Sequence, residues 1–321
     1  MSGTADFTPS LQQLRYLAAV VDERSFTRAA RRMSISQPAL SRQISLLETR
    51  LGAKLLERTP GGVLPTVAGR AVLPEARAAL ASAQRAARAA KEVAALESGS
   101  LEIATFPSLV TGTLLPAIRR WHVRYPRVTL RFREFRHRSA MQEAAQVGTV
   151  DLAIGTPPFD WTGPQRRIGW NEVVLVLPAG DPLCRRRDGV RLDKLANRNW
   201  VLYDRAYGLS DVVIAACLHA GFQPNGAIET SQAEAAARLA VAGLGPALVP
   251  VANVPPELAK WSRRLSPPVI WEIVAYARTT WSAAASAFLE IASDAAASKP
   301  PSDAIRWTAP RDRQPPGGST T

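Results

Sequence analysis

The chain has 321 residues, with 40 Lys and Arg against 27 Asp and Glu, for a formal charge of +13. That length implies two or three domains, and 46% apolar with 21% charged residues excludes a wholly disordered chain. Clustered cations suit a polyanionic partner, although a surface kept soluble by charge has the same balance.

No apolar run approaches the roughly 18 residues of a membrane span. Met1–Pro9 lacks the apolar core of a secretion signal, so a cytoplasmic protein without membrane contact is expected. The two cysteines, Cys184 and Cys217, have no CxxC partner. They read as buried thiols in a reducing compartment, with neither a zinc site nor a disulfide framework. No cofactor or metal is expected.

Residues from about Leu11 to Thr66 are helical and basic. Leu14, Leu17, Ala18 and Val21 share one face of a first helix. Ser25 caps a second, Phe26 to about Met33, with Phe26, Ala29, Ala30 and Met33 inward. After Ser34 and Ile35, Ser36 caps a third helix that tolerates Pro38 in its first turn. This helix runs to about Arg50, with Gly52 as its stop. Leu40, Ile44, Leu47 and Leu51 form its buried stripe. The opposite face presents Gln37, Pro38, Ser41, Arg42 and Ser45, which are short, polar or basic and free of acids. Such a face can enter a DNA major groove: Gln37 suits an adenine edge and Arg42 a guanine or a phosphate. The hydroxyls and the helix start suit phosphate oxygens. On composition alone, a solvated helix face fits equally well.

Thr66 is placed to cap a long helix from Val67 to about Glu97. Val72, Ala76, Ala79, Ala83, Ala86, Ala90 and Val93 alternate by three and four, a seam that suits a coiled coil. Arg70, Arg77, Arg85, Arg88 and Lys91 lie mostly off it. A solvent-exposed spacer, or a helix packed on its own domain, is the alternative. Pro74 should bend the axis.

From Leu101 strand-like runs alternate with helical ones, which predicts largely parallel sheets covered on both faces. Strands are expected at Leu101–Thr105, Val128–Phe132, Val150–Ile154, Val173–Leu177, Trp200–Tyr203, Ala247–Pro250 and Ile270–Ala277. Helices are expected near Thr111–Arg124, Ser139–Val147, Ser210–Ala220, Gln232–Ala242 and Trp281–Ala292. The stretch after about Ser298, with Pro300, Pro301, Pro310, Pro315, Pro316, Gly317 and Gly318, reads as a disordered tail.

The order of motifs resembles the LysR-type transcriptional regulators. It runs from Ser25-Phe26-Thr27-Arg28-Ala29-Ala30 through Ser36-Gln37-Pro38-Ala39-Leu40-Ser41-Arg42-Gln43-Ile44. Leu47-Glu48, Leu51-Gly52, Leu55-Leu56-Glu57-Arg58, Pro65-Thr66 and Ala68-Gly69 follow. Weaker supports continue the order: Leu115-Pro116, Tyr125-Pro126, Gly148 to Ile154, Asp181-Pro182-Leu183, Ala220-Gly221-Phe222 and Gly243-Leu244-Gly245.

The resemblance implies an α + α/β architecture. A winged helix-turn-helix takes residues 1–66 and a linker and dimerisation helix 67–98. A two-lobed, periplasmic-binding-protein-like effector domain takes 99–297, with lobe 1 at about 99–166 plus 270–297 and lobe 2 at about 167–269. It implies a third helix that reads DNA and a wing of Arg58, Thr59, Gly61 and Gly62, stiffened by Pro60. The expected DNA contacts are Ser25, Thr27, Arg28, Ser36, Gln37, Pro38, Ala39, Ser41, Arg42, Ser45, Arg58 and Thr59. It further implies a homodimer assembling into a tetramer on an interrupted palindromic site in double-stranded DNA, with RNA polymerase as a further partner.

A small-molecule effector, an organic acid, would sit between the lobes, past the carboxyl ends of strands. The candidates are Thr105, Phe106, Pro107, Ser108, Arg136, His137, Gly155, Thr156, Tyr203, Gly243 and Gly245. Ser108 and the amides after Pro107 are expected to meet the anion. An enzyme is the rival class, but there is no GxSxG, HExxH or GxxxxGK[ST]. His122 and His219 read as packed residues in amphipathic or apolar helices, and only His137 falls in the pocket region. A transport-type binding protein would carry a secretion signal and no DNA-reading helix.

Overall fold

The structure is a computed structural model and describes residues 7–92, 99–186, 188–205, 207–295 and 300–307. It divides into two compact units. The first begins with α1 (Leu11–Glu23), α2 (Phe26–Arg32) and α3 (Gln37–Leu51). Each starts on a serine. Ser10 forms a capping box with Gln13, Ser25 Oγ accepts from the Arg28 amide at 3.4 Å, and Ser36 Oγ from the Ala39 amide at 3.3 Å. Gly52, in the left-handed region at φ 66°, ends α3.

The core joins Tyr16, Leu17, Val20, Ala29, Ala30, Leu40, Ile44, Leu47, Leu55 and Val63. Two expectations shift here. On α1 Val20 is fully buried while Ala18 and Val21 sit at the rim. On α3 Leu51 is exposed and Glu48 is buried in its place. Glu48 Oε1 accepts from the amides of Leu55 (2.9 Å) and Leu56 (3.2 Å), and Oε2 meets Lys54 Nζ at 2.8 Å. One carboxylate thus serves two amides at the entry to the next strand.

That strand is β1 (Leu56–Thr59), which pairs antiparallel with β2 (Gly62–Pro65) around Pro60-Gly61. Pro60 leaves a regular two-residue hairpin. Gly62 has φ +116°, and a Cβ on it would stand 2.7 Å from the Arg24 carbonyl oxygen. That same oxygen accepts from the Val63 amide at 3.0 Å, which seats the hairpin on the end of α1.

α4 (Val67–Glu92) is capped by Thr66 as expected, with the Gly69 amide 3.0 Å from Thr66 Oγ1. It runs unbroken through Pro74, so the proline does not end the helix. Its first half belongs to its own domain: Val72 and Leu73 pack on the core, Ala76 is buried, and Arg77 pairs with Asp22 of α1 at 2.7 Å. The seam positions Ala79 and Ala83 are half-buried and Ala86 exposed. The side chains of Arg85, Arg88, Ala90, Lys91 and Val93, and the expected helix end near Glu97, lie outside the described residues.

The second unit opens with β3 (Gly99–Thr105), α5 (Pro107–Thr111), α6 (Leu115–Arg124), β4 (Val128–Glu134), α7 (Arg138–Val147) and β5 (Leu152–Gly155). The helix expected over Thr111–Arg124 is α6, which starts later, at Leu115, and the short α5 precedes it. Strands β4, β3 and β5 lie side by side in parallel. Two long antiparallel strands connect the lobes: β6 (Gln165–Val176) and β10 (Ser262–Tyr276). Between them come β7 (Asn199–Tyr203), α8 (Leu209–His219), β8 (Asn225–Thr230), α9 (Ala233–Leu239) and β9 (Ala247–Pro250). α10 (Ala283–Ala295) returns to lobe 1. The expected lobe boundaries, near 166 and 269, fall inside β6 and β10.

Lobe 1 is covered on both faces. Trp121 of α6 and Phe288 of α10 pack on one face of its sheet, and Met141 and Ala145 of α7 on the other. Lobe 2 buries Leu175, Trp200, Val213, Cys217, Ala237 and Leu248 together.

The segment expected to be a disordered tail is corrected in part. Residues 305–307 form β11 (Ile305–Trp307), parallel to β10. Their alternation of apolar and charged residues satisfies a strand with one buried face, which the preceding prolines obscured. The expected disorder of 308–321, with Pro310, Pro315, Pro316, Gly317 and Gly318, lies outside the described residues. Among the described residues no helix is long and apolar enough to cross a membrane.

Candidate functional sites

The outer face of α3 is open. Pro38, Ala39, Arg42 and Ser45 are exposed or partly so, and Gln37 and Ser41 are half-buried. Arg42 has no acidic partner among the described residues. Ser41, Ser45 and Arg58 also line a shallow groove between α3 and β1, together with Phe26 and Glu57. The helix and the hairpin are therefore neighbours, and the Arg58 guanidinium lies 5.4 Å from the Phe26 ring centroid. Two acids also line the groove, Glu57 and the buried Glu48, the second paired with Lys54.

The remaining candidates are less free. Ser25 and Ser36 spend their oxygens on caps. Arg28 is exposed beside Thr27 but reaches back to the carbonyl and carboxylate of Glu23. Thr59 Oγ1 donates to the Gly62 carbonyl at 3.0 Å, a bond that closes the hairpin.

In the second unit a cavity of about 90 Å³ lies between the lobes. Of the candidates, Phe106, Ser108, His137 and Thr156 line it. So do Arg138, Ser139, Arg205, Tyr207 and Trp271, which the sequence reading passed over. The first turns of α7 and α8 both face the space, through His137, Arg138 and Ser139 and through Gly208, Leu209 and Val212. Asp211 is the one carboxylate in the lining, against Arg138 and Arg205. The balance of fixed charge and the helix starts both favour an anion. Thr156 is 8% exposed, and its Oγ1 is buried without a hydrogen-bond partner. A buried hydroxyl in that state is costly unless something else satisfies it.

Three contacts hold the lobes together around this space. The Tyr207 hydroxyl bonds to Ser108, through both its side chain and its backbone. Asn253 Nδ2 donates to the Ser108 carbonyl at 2.9 Å and to Thr111 Oγ1 at 3.0 Å. The Gly208 amide donates to the Arg136 carbonyl at 3.1 Å. Burial raises the Tyr207 phenol above its usual range, partly offset by its bonds to Ser108, so it stays neutral near pH 7.

Other candidates are placed elsewhere. Thr105 is fully buried and its Oγ1 donates to the Ile154 carbonyl within the sheet. Pro107 starts α5, a helix of only five residues. The amides of Leu109 and Val110 already bond the Phe106 carbonyl, so those two are not free to meet an anion. The Arg136 side chain is exposed and only its backbone joins the lobe contact. Gly155 permits tight packing, since a Cβ there would stand 2.4 Å from Met141 Cε. Tyr203 is in the lobe 2 core, with its hydroxyl on the Leu248 carbonyl at 3.1 Å and its ring 5.5 Å from that of Tyr207. Gly245 lets the chain pass the Asn199 carbonyl, and Gly243 supplies a positive φ at the end of the helical segment after α9. Both follow from backbone geometry and neither lines the cavity. Of the histidines, only His137 is in the lining.

A winged helix-turn-helix carried with a two-lobed α/β domain defines a one-component transcriptional regulator. The profile described as bacterial regulatory helix-turn-helix protein, lysR family, matches residues 11–70, and that of the LysR substrate binding domain matches 94–297. The chain belongs to the LysR family of transcriptional regulators and is not an enzyme. It is 31% identical over 290 residues to a probable hydrogen peroxide-inducible genes activator of Streptomyces viridosporus, covering 88% of this chain and 92% of that one. To the regulator AlsR of Bacillus subtilis it is 32% identical over 243 residues, covering 75% and 80%. A full-length OxyR variant of Pseudomonas aeruginosa, with one cysteine replaced, shares the fold, with a TM-score of 0.66 at 22% identity over 90% of this chain and 95% of that one.

Proposed function

We propose that this regulator reads double-stranded DNA with the exposed face of α3 and the hairpin residue Arg58, and that a compact organic anion in the inter-lobe cavity controls it. The observation that carries the ligand reading is the unpartnered Thr156 hydroxyl, buried in a cavity with two arginines. The cavity, about 90 Å³, is several times the roughly 10–15 Å³ that one water needs, so it has room for a small ligand. The anion would bridge groups from both lobes: Thr156 and Arg138 on one side, Arg205 on the other. A ligand shifts the balance of open and closed forms only by its differential affinity for them.

The protein acts in the cytoplasm as a homodimer joined along the small-residue seam of α4, and as a tetramer on an interrupted palindromic promoter site, with RNA polymerase as a further partner. Peroxide sensing, which the name of the Streptomyces relative raises, fits poorly. A peroxide-reactive thiol needs thiolate character and access. Burial pushes Cys217 up to about 12 and raises Cys184 as well.

A thermal-shift series on the whole protein tests the ligand reading. Acetate, propionate, pyruvate and inorganic phosphate are the probes, and a carboxylate should raise the midpoint because it binds only the folded state. No shift with any of them up to tens of millimolar would refute a compact-anion site.

A further inference from the structure

β11 lies beyond residue 297, where the match to the substrate-binding domain ends, yet it is built into the sheet. Ile305, Arg306 and Trp307 stand opposite Val269, Ile270 and Trp271 of β10 in parallel register. Strand alternation sends Ile305 and Trp307 to one face, where both pack on the lobe 2 core. It sends Arg306 to the other, with its guanidinium 5.2 Å from the Trp170 ring centroid. The strand is thus held from both faces. It adds to β10 where that strand passes between lobes, three residues before Val274 begins the pairing with β5. The register sets Trp307 beside Trp271, and both indoles line the inter-lobe cavity.

We propose that residues 305–307 form a working wall of the effector site and that Trp307 sets the upper size of the ligand. This rests on the reading of the cavity as the effector site. The polar groups suited to an anion come from the two lobes, through Thr156, Arg138 and Arg205. The segment after the family domain supplies bulk instead. An indole held by strand pairing on one side and the lobe 2 core on another cannot swing aside cheaply, so it fixes how far a carboxylate's apolar end extends. Its removal enlarges the space at the apolar end and leaves the anion-binding groups in place.

Calorimetric titration of the full chain with acetate, propionate, butyrate, hexanoate and benzoate tests this. The wild type should favour the short acids. Trp307→Ala should reverse the order, with hexanoate and benzoate gaining at least tenfold relative to acetate, and Trp307→Phe should fall between. Arg306→Ala, which loosens the strand from its other face, should leave the order of the series unchanged. If Trp307→Ala unfolds, Trp307→Leu and Trp307→Phe carry the same comparison. An unchanged series, or one weakened by the same factor for every acid, overturns the inference while the cavity reading stands. If the wild type binds none of the acids, the cavity reading falls and this inference with it.

Discussion

At the scale of single residues, Arg42, Glu48 and Thr156 separate the proposed reading of DNA, the fold and the proposed sensing. Arg42 stands on the open face of α3 without an acidic partner among the described residues. Arg42→Ala should keep the fold and cost about 1–3 kcal/mol of specific DNA affinity, the worth of one good base contact. Fluorescence anisotropy on a selected site checks this, and Gln37→Ala should behave alike. Glu48 was visible in the sequence only as part of a motif. The structure gives its reason: its carboxylate serves two amides where α3 hands over to the hairpin. Glu48→Ala leaves both amides unpaired and should destabilise the protein by about 2–4 kcal/mol in urea unfolding.

Thr156 is the opposite case. Thr156→Val removes a buried hydroxyl that has no partner, so stability should hold or rise by about 1 kcal/mol. Affinity for the anion should fall in the same variant. A drop in stability with unchanged ligand binding would make Thr156 a packing residue only.

At the scale of elements, the join of α4 to the hairpin is the tightest point of the first unit. A Cβ on Gly69 would stand 2.0 Å from the Leu55 carbonyl oxygen. Gly69→Ala should therefore lower the melting temperature of the whole chain by more than Gly52→Ala, whose added Cβ meets nothing within 4 Å. Differential scanning calorimetry of the two variants makes the comparison.

The three helices of the helix-turn-helix domain were legible because serine caps, the 3.6-residue period and Gly52 all point the same way. Most α/β strands were legible from their apolar runs. β8 was missed because Asn225–Thr230 opens on Asn-Gly and has no buried run. β11 was missed because three residues after a proline-rich stretch carry too little pattern. The cavity was half legible. Strand ends located Phe106, Ser108, His137 and Thr156. The lining from α8 and β11 comes from residues brought there by lobe packing, which no local spacing encodes. Glycines at Gly243 and Gly245 looked like ligand contacts, but their conformations serve the backbone.

At the scale of the whole molecule, a charge of +13 favours a sequence-independent attraction to DNA, on which the proposed α3 contacts would add selectivity. Affinity for a random duplex should fall steeply with salt, while the gap between specific and random sites widens. The small-residue stretch of α4 should make the protein a dimer at micromolar concentration, which sedimentation equilibrium reads directly.

The most direct measurement is selection from a randomised pool of DNA duplexes with the full chain, followed by sequencing, run in parallel for the wild type and Arg42→Ala. The wild type should enrich an interrupted palindrome, because two-fold protein symmetry is mirrored in the half-sites. In Arg42→Ala one symmetric pair of positions should lose its preference while the rest persist. A wild type that enriches no two-fold motif, or an Arg42→Ala chain that enriches the same motif at full strength, would contradict the proposed reading of DNA.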